Sequence, residues 1–143
     1  MLSLALGASV CCGGSPAPAA PTASVSTPPP AANQPPKPLD SATIAITAAG
    51  FGLVTASPYP LSELHVYQGG TLTFVNNDVA THDVLSDPPH VHTDCPEINL
   101  AGFLVPGQSR ATGPLNRLVT CGFHDHTHEG DAAFSGKVVV EAR

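Results

Sequence analysis

Basic residues are scarce in this chain, which holds only 5 Lys and Arg against 11 Asp and Glu for a formal net charge of −6. Lys37 lies in a proline-rich stretch, and the other four, Arg110, Arg117, Lys137 and Arg143, are scattered. A nucleic-acid partner requires a clustered basic footprint, so that class is excluded. Mild acidity of this kind serves solubility. Long apolar runs are missing too: none approaches the ~20 residues of a membrane-spanning helix. Helical periodicity is poor, because Pro or Gly interrupts nearly every stretch before apolar residues repeat at three-and-four spacing. No Ser-His-Asp, paired-carboxylate or phosphate-cradling motif stands out, which weighs against a hydrolase or a kinase. Methionine is absent after Met1.

What is present divides the chain into three parts. Residues 1–12 begin with ten small and apolar residues, Met1 to Val10, followed by Cys11 and Cys12. This pattern is similar to the hydrophobic part of an export signal cut before a cysteine that is then lipidated. Residues 13–38 are almost entirely Pro, Ala, Ser, Thr and Gly, with Pro28-Pro29-Pro30 and Pro35-Pro36 inside. Such a segment has too little apolar surface to offset its ordering entropy and reads as a disordered tether. Residues 39–143 are about the size of one β-sandwich domain, roughly 100 residues. The expected location is outside the cytoplasm, periplasmic or on the outer cell surface, with the membrane reached only through a lipid on Cys11 or Cys12.

Strand signals recur through the domain. Thr43 to Thr47 alternates polar and apolar, as a half-buried strand does. Leu64–Tyr67 and Thr71–Val75 flank Gln68-Gly69-Gly70, which reads as a glycine turn between two strands. Asn76-Asn77-Asp78 stops the second run, and a loop carries His82 into Asp83-Val84-Leu85. Ser109–Thr112, Asn116–Thr120 and Lys137–Glu141 are further strand candidates. The fold class expected is all-β: an antiparallel β-sandwich with Greek-key connections. No helical zipper or large apolar stripe is evident, so a monomer is the default.

The chemistry concentrates in the histidines. There are 7, and all but His65 fall within residues 82–92 and 124–128. Cys121-Gly-Phe-His124, with His126 and His128 close behind, combines a thiol and imidazoles, a soft-to-borderline donor set. Thiolate suits Cu(I), zinc and iron–sulfur, and imidazole suits copper, zinc, iron and nickel. Placed on a loop, these side chains would converge on one ion held between strand ends. The domain's two cysteines, Cys95 and Cys121, carry a competing reading: in an exported protein they most simply form one disulfide.

Taken in order, several pieces resemble the cupredoxins, the blue copper family that includes plastocyanin and azurin. They are Gly69 to Asn77 leading to His82-Asp83-Val84, Phe103 to Gly107, Cys121-Gly-Phe-His124 and Gly136 to Val140. The resemblance covers about Thr43 to Glu141. It implies one copper ion per domain, with His82, Cys121 and His124 as ligands, shuttling single electrons to a redox protein partner. Two imidazoles and a thiolate in a trigonal plane make an electron-transfer site.

The chain departs from that family in three places. The usual axial methionine is missing, and Phe134 stands where it would be. Either Phe134 leaves the axial position uncoordinated or a backbone carbonyl takes it, or Glu129, His126 or His128 from a lengthened loop fills it. That lengthening also leaves open whether His124 or His126 follows Cys121 onto the metal, and Asp125 between them would orient an imidazole. Finally, His90, His92 and Cys95 are an added group. Were Cys95 to bridge Cys121, the thiolate would be lost and a His-only type 2 copper or zinc site would remain: His82, His124 and His126, with His92. The functions then in competition are an electron carrier, a copper carrier or resistance protein, and a small copper redox enzyme with an open coordination position.

Overall fold

Alternating side chains build the first strand, β1 (Leu39–Thr47), in which Ala42, Ile44 and Ile46 are buried and the residues between them are not. The computed structural model describes residues 34–143. The apolar leader with Cys11 and Cys12, and the tether as far as Asn33, lie outside the described residues. After β1 follow β2 (Gly50–Leu53), β3 (Leu64–Asn76), β4 (His82–Ser86), β5 (Gly102–Leu104), β6 (Ser109–Ala111), β7 (Thr120–Asp125) and β8 (Ser135–Glu141). The remaining regular structure among the described residues is a few three-residue 3₁₀ turns. The domain is therefore all-β.

Strand order along the sheet is β2-β1-β3-β8-β7-β4-β5, with β6 paired to β3. Pairing is mixed, which corrects the purely antiparallel expectation: β1–β3 and β3–β8 are parallel and the rest antiparallel. Parallel neighbours arise where the chain crosses over between strands instead of turning back through a hairpin. The residues Gln68-Gly69-Gly70 do not form a turn either, for β3 runs through them. Gly69 takes φ +86°, and a Cβ on Gly70 would lie 2.8 Å from the carbonyl oxygens of both Asp40 and Tyr67. The glycines thus let a continuous strand bend and keep pairing. Its first half, Leu64–Tyr67, pairs with β8 and touches β1 at Leu39↔Val66, and its second half pairs with β1 and β6. The bend carries β3 from one layer of the sandwich to the other.

Between the layers Phe74 of β3 meets Phe123 of β7 edge to face, centroids 5.4 Å apart, and Phe51 packs on both. Ile44, Ile46, Leu72, Val84, Leu104 and Val138 complete the same core. A fully buried side chain of this size stabilises by about 1.5–3 kcal/mol.

The strand expected over Asn116–Thr120 is absent. Instead β7 takes up the stretch from Thr120 to Asp125, which had read as a ligand-bearing loop. It pairs with β4 in the register Val84↔Asp125, Leu85↔His124, Ser86↔Phe123. Opposed residues share a face, so Val84, Ser86, Phe123 and Asp125 face the core with His82 and Cys121. Asp83, Leu85, Gly122 and His124 face outward. The chain leaving β4 folds back over that outward face, so β7 is buried on both sides from Cys121 to Asp125.

Candidate metal sites

Strand geometry decides the fate of the cysteine. Residues three apart on a strand point to opposite faces, so Cys121 and His124 do not converge on one ion. Cys121 is instead joined to Cys95 by a disulfide, with Cα atoms 5.8 Å apart, a usual span for such a bridge. Neither sulfur is a thiolate. The expected ligand set of His82, Cys121 and His124 is corrected on both counts, and the competing disulfide reading describes this structure.

The core face of the β4–β7 pair gathers a different trio at one end. Asp125 Oδ2 accepts from His82 Nδ1 at 2.6 Å and from His128 Nδ1 at 2.7 Å. The donor atoms of His82, Asp125 and His128 lie within 4.8 Å of one another. His82 and Asp125 are wholly buried, whereas the His128 side chain is 39 % exposed. Phe134 closes the site from one side: its ring stacks on His128 at 4.0 Å and on His82 at 5.8 Å. Phe134 thus borders these two rings, and it offers no donor atom.

Two of these three side chains, Asp125 and His82, are held from behind. Asp125 Oδ1 accepts from the backbone N–H of Asp83 at 3.0 Å, from that of Thr127 at 3.1 Å and from Thr127 Oγ1 at 2.9 Å. Burial alone would raise the Asp125 carboxyl, but the hydrogen bonds from His82, Asp83, His128 and Thr127 outweigh it and hold the group at about 2. His82 Nε2 donates to Asp78 Oδ2 at 3.1 Å. The Asp78 carboxyl is lowered chiefly by the N–H of Val79, against the effect of burial and with help from His82. Buried Asn76 fixes this corner: Nδ2 donates to the carbonyls of Ala80 and Leu104, and Oδ1 accepts from the N–H of Asp78. The donor set, two imidazole nitrogens and one carboxylate oxygen, fits a borderline divalent ion such as Cu(II), Zn(II) or Fe(II) and does not fit a blue thiolate centre.

The other predicted residues go elsewhere. His124 and His126 meet His92, their ring nitrogens also within 4.8 Å of one another. Glu129 Oε1 lies 3.2 Å from His90 Nε2 and touches neither trio's inner atoms. His65 is unconnected to either trio: its Nδ1 pairs with Glu141 and its ring stacks on Tyr59. Outward-facing Asp83 is buried, and that desolvation holds its carboxyl above the ordinary carboxylate range despite the neighbouring His126, His92 and His124. The residue that sequence reasoning underrated is Asp125, expected to orient an imidazole and placed instead as a donor between two. Its one sequence signal was a carboxylate flanked by histidines on both sides.

Comparison with protein-family models and with curated proteins returns no match. Solved structures do resemble the chain. A purple cupredoxin from Nitrosopumilus maritimus aligns at 20 % identity and TM-score 0.48, over 70 % of this chain and 99 % of its own. A reduced amicyanin variant aligns at 25 % identity and TM-score 0.49, over 71 % of this chain and 82 % of its own. An oxidised amicyanin variant aligns at 26 % and 0.48, over 69 % and 80 %.

Proposed function

We propose that the domain is a cupredoxin-like copper protein that passes single electrons through one ion held by His82, Asp125 and His128. The observation that carries this reading is the convergence of His82 Nδ1 and His128 Nδ1 on a single oxygen of Asp125. Copper bound there would supply a one-electron couple with nitrogen and oxygen ligation. The chain's own residues supply rigidity. Asp125 is clamped by three donors and His82 by Asp78, so the ligands are set before an ion arrives and little has to move between oxidation states. Complete burial of His82 and Asp125 favours a resident ion over cargo, because an ion under such cover leaves slowly. His128, the exposed ligand, offers a ring edge to a redox partner protein.

Export with a lipid on Cys11 or Cys12 belongs to the same proposal. The Cys95–Cys121 bridge supports an oxidising compartment, since disulfides are rare where glutathione keeps thiols reduced.

The test is to load the full chain with Cu(II) and record its visible and electron paramagnetic resonance spectra. We expect a pale type 2 spectrum with no intense thiolate band, unchanged in a Cys95→Ser/Cys121→Ser double variant. His128→Ala and Asp125→Asn should each weaken copper binding at least about tenfold. Voltammetry should give a reversible one-electron wave. An intense band abolished by Cys121→Ser would restore sulfur to the site and end this reading.

A further inference from the structure

His124 is buried to 3 % exposure, and its Nε2 has no hydrogen-bond partner. Orphaned buried polar atoms cost about 1–3 kcal/mol, so an imidazole is not left this way without a reason. The opposite nitrogen is well served: Nδ1 donates to Asp87 Oδ1 at 2.7 Å. His92 repeats the arrangement, donating from Nδ1 to the Ser86 carbonyl at 2.9 Å. In both rings the hydrogen bond at Nδ1 puts the proton there and leaves the Nε2 lone pair free. A carboxylate or carbonyl behind the far nitrogen is how proteins orient metal-binding histidines. His126 brings the third imidazole. The ring of His92 lies 5.3 Å from that of His124 and 5.1 Å from that of His126, and the three donor atoms fall within 4.8 Å of one another.

The backbone is committed to this placement. His92 takes φ +55° and His90 takes φ +67°, the left-handed region that only a few per cent of non-glycine residues enter, histidine more often than most. Residues held in this region gather at functional sites because the surroundings over-determine them. Gly122 contributes by being glycine. A Cβ there would lie 1.9 Å from Asp87 Oδ2 and 2.6 Å from Cγ, so only a glycine admits the carboxylate that orients His124. Asp83 lies on the same outward face of β4 and adds negative charge suited to a cation.

We propose that His92, His124 and His126 form a second metal site, on the outward face of the β4–β7 pair, for a late first-row divalent ion such as Zn(II) or Cu(II). It does not depend on the copper site at His82, Asp125 and His128, because strand alternation puts the two on opposite faces of the same strands. Three imidazole nitrogens leave one coordination position open, and exposed His126 lies on the solvent side, where an ion enters. His124 and His92 bind through Nε2, with Asp87 and the Ser86 carbonyl as their orienting partners.

The experiment is a titration of the full, disulfide-bonded chain with Zn(II) alone, read by calorimetry and by metal analysis after dialysis. The wild type should hold two ions. His126→Ala and His92→Ala, at positions that are not core, should each hold one, as should His128→Ala through loss of the other ion. Asp87→Asn should weaken one ion about 10–100-fold and leave the other unchanged. Imidazole ¹⁵N spectra should show Nε2 of His124 shifting with zinc in both wild type and His128→Ala. Retention of the same ion count and affinity in His126→Ala and His92→Ala would overturn the proposal, as would a stationary His124 Nε2. A wild type holding one ion that His126→Ala removes and His128→Ala spares would uphold this site while removing the first.

Discussion

Asp125 shows how much one side chain can be asked to hold. A buried carboxylate is costly unless its lone pairs are used, and here both oxygens accept from two or more donors. The sign of the resulting pH effect follows from the direction of the shift. Its ordinary value is 3.8 and its folded value is about 2, so between those limits the unfolded chain binds more protons than the native one. The stabilisation is complete above about pH 4 and is lost as pH falls through about 2, a contribution of about 2 kcal/mol. Urea unfolding of the metal-free chain at pH 5 and near pH 2 should show this loss. Asp125→Asn should be less stable at pH 5 and its stability should fall less on acidification by about that amount. Equal acid slopes in the two proteins would mean that Asp125 is not the titrating anchor.

At the scale of the element, β7 distributes the chemistry. Its residues alternate between faces, sending Cys121, Phe123 and Asp125 to the core and Gly122 and His124 outward, so neighbours in sequence serve different sites. Gly122→Ala tests whether the outward half depends on Asp87. The added methyl group displaces that carboxylate, His124 loses its orienting partner, and zinc at His92, His124 and His126 should weaken about tenfold or more. Copper at His82, Asp125 and His128 should keep its affinity and spectrum. Unchanged zinc binding would show that Asp87 does not set the ring. This strand was also the hardest to read in advance. A strand buried on both faces shows no polar–apolar alternation, and its two buried polar side chains, His124 and Asp125, are of metal-ligand type, so Thr120 to Asp125 looked like a loop.

Across the whole molecule the Cys95–Cys121 bridge ties the irregular connection after β4 to the strand beside it. The two residues are 26 apart in sequence, and closing a loop of that length restricts the unfolded chain by about 3–4 kcal/mol. The Cys95→Ser/Cys121→Ser variant should lose about 3 kcal/mol in denaturant unfolding without changing the visible spectrum of the copper-loaded chain. A loss below about 1 kcal/mol would place the connection's stability in its own packing, in Ile98 and Ala101, instead. Phe123→Ala should cost about 3–5 kcal/mol by the same measurement, since its fully buried ring packs on both Phe51 and Phe74 in the core. A cost under about 1 kcal/mol would mean the core collapses into the gap.

The sequence by itself determined what local composition and period can encode. The Ile44 and Ile46 alternation, the Asn76 corner before His82 and the absence of helical spacing settled an all-β domain, and the histidine-rich segments 82–92 and 124–128 marked where metal chemistry lies. Only the tertiary structure decided which histidines come together. That partition depends on whether Thr120–Asp125 is extended, because an extended backbone separates residues three apart onto opposite faces whereas a loop would let them meet. It depends equally on where the chain after β4 returns, since that path delivers Cys95 to Cys121 and His92 to His124 across distances that no local pattern records.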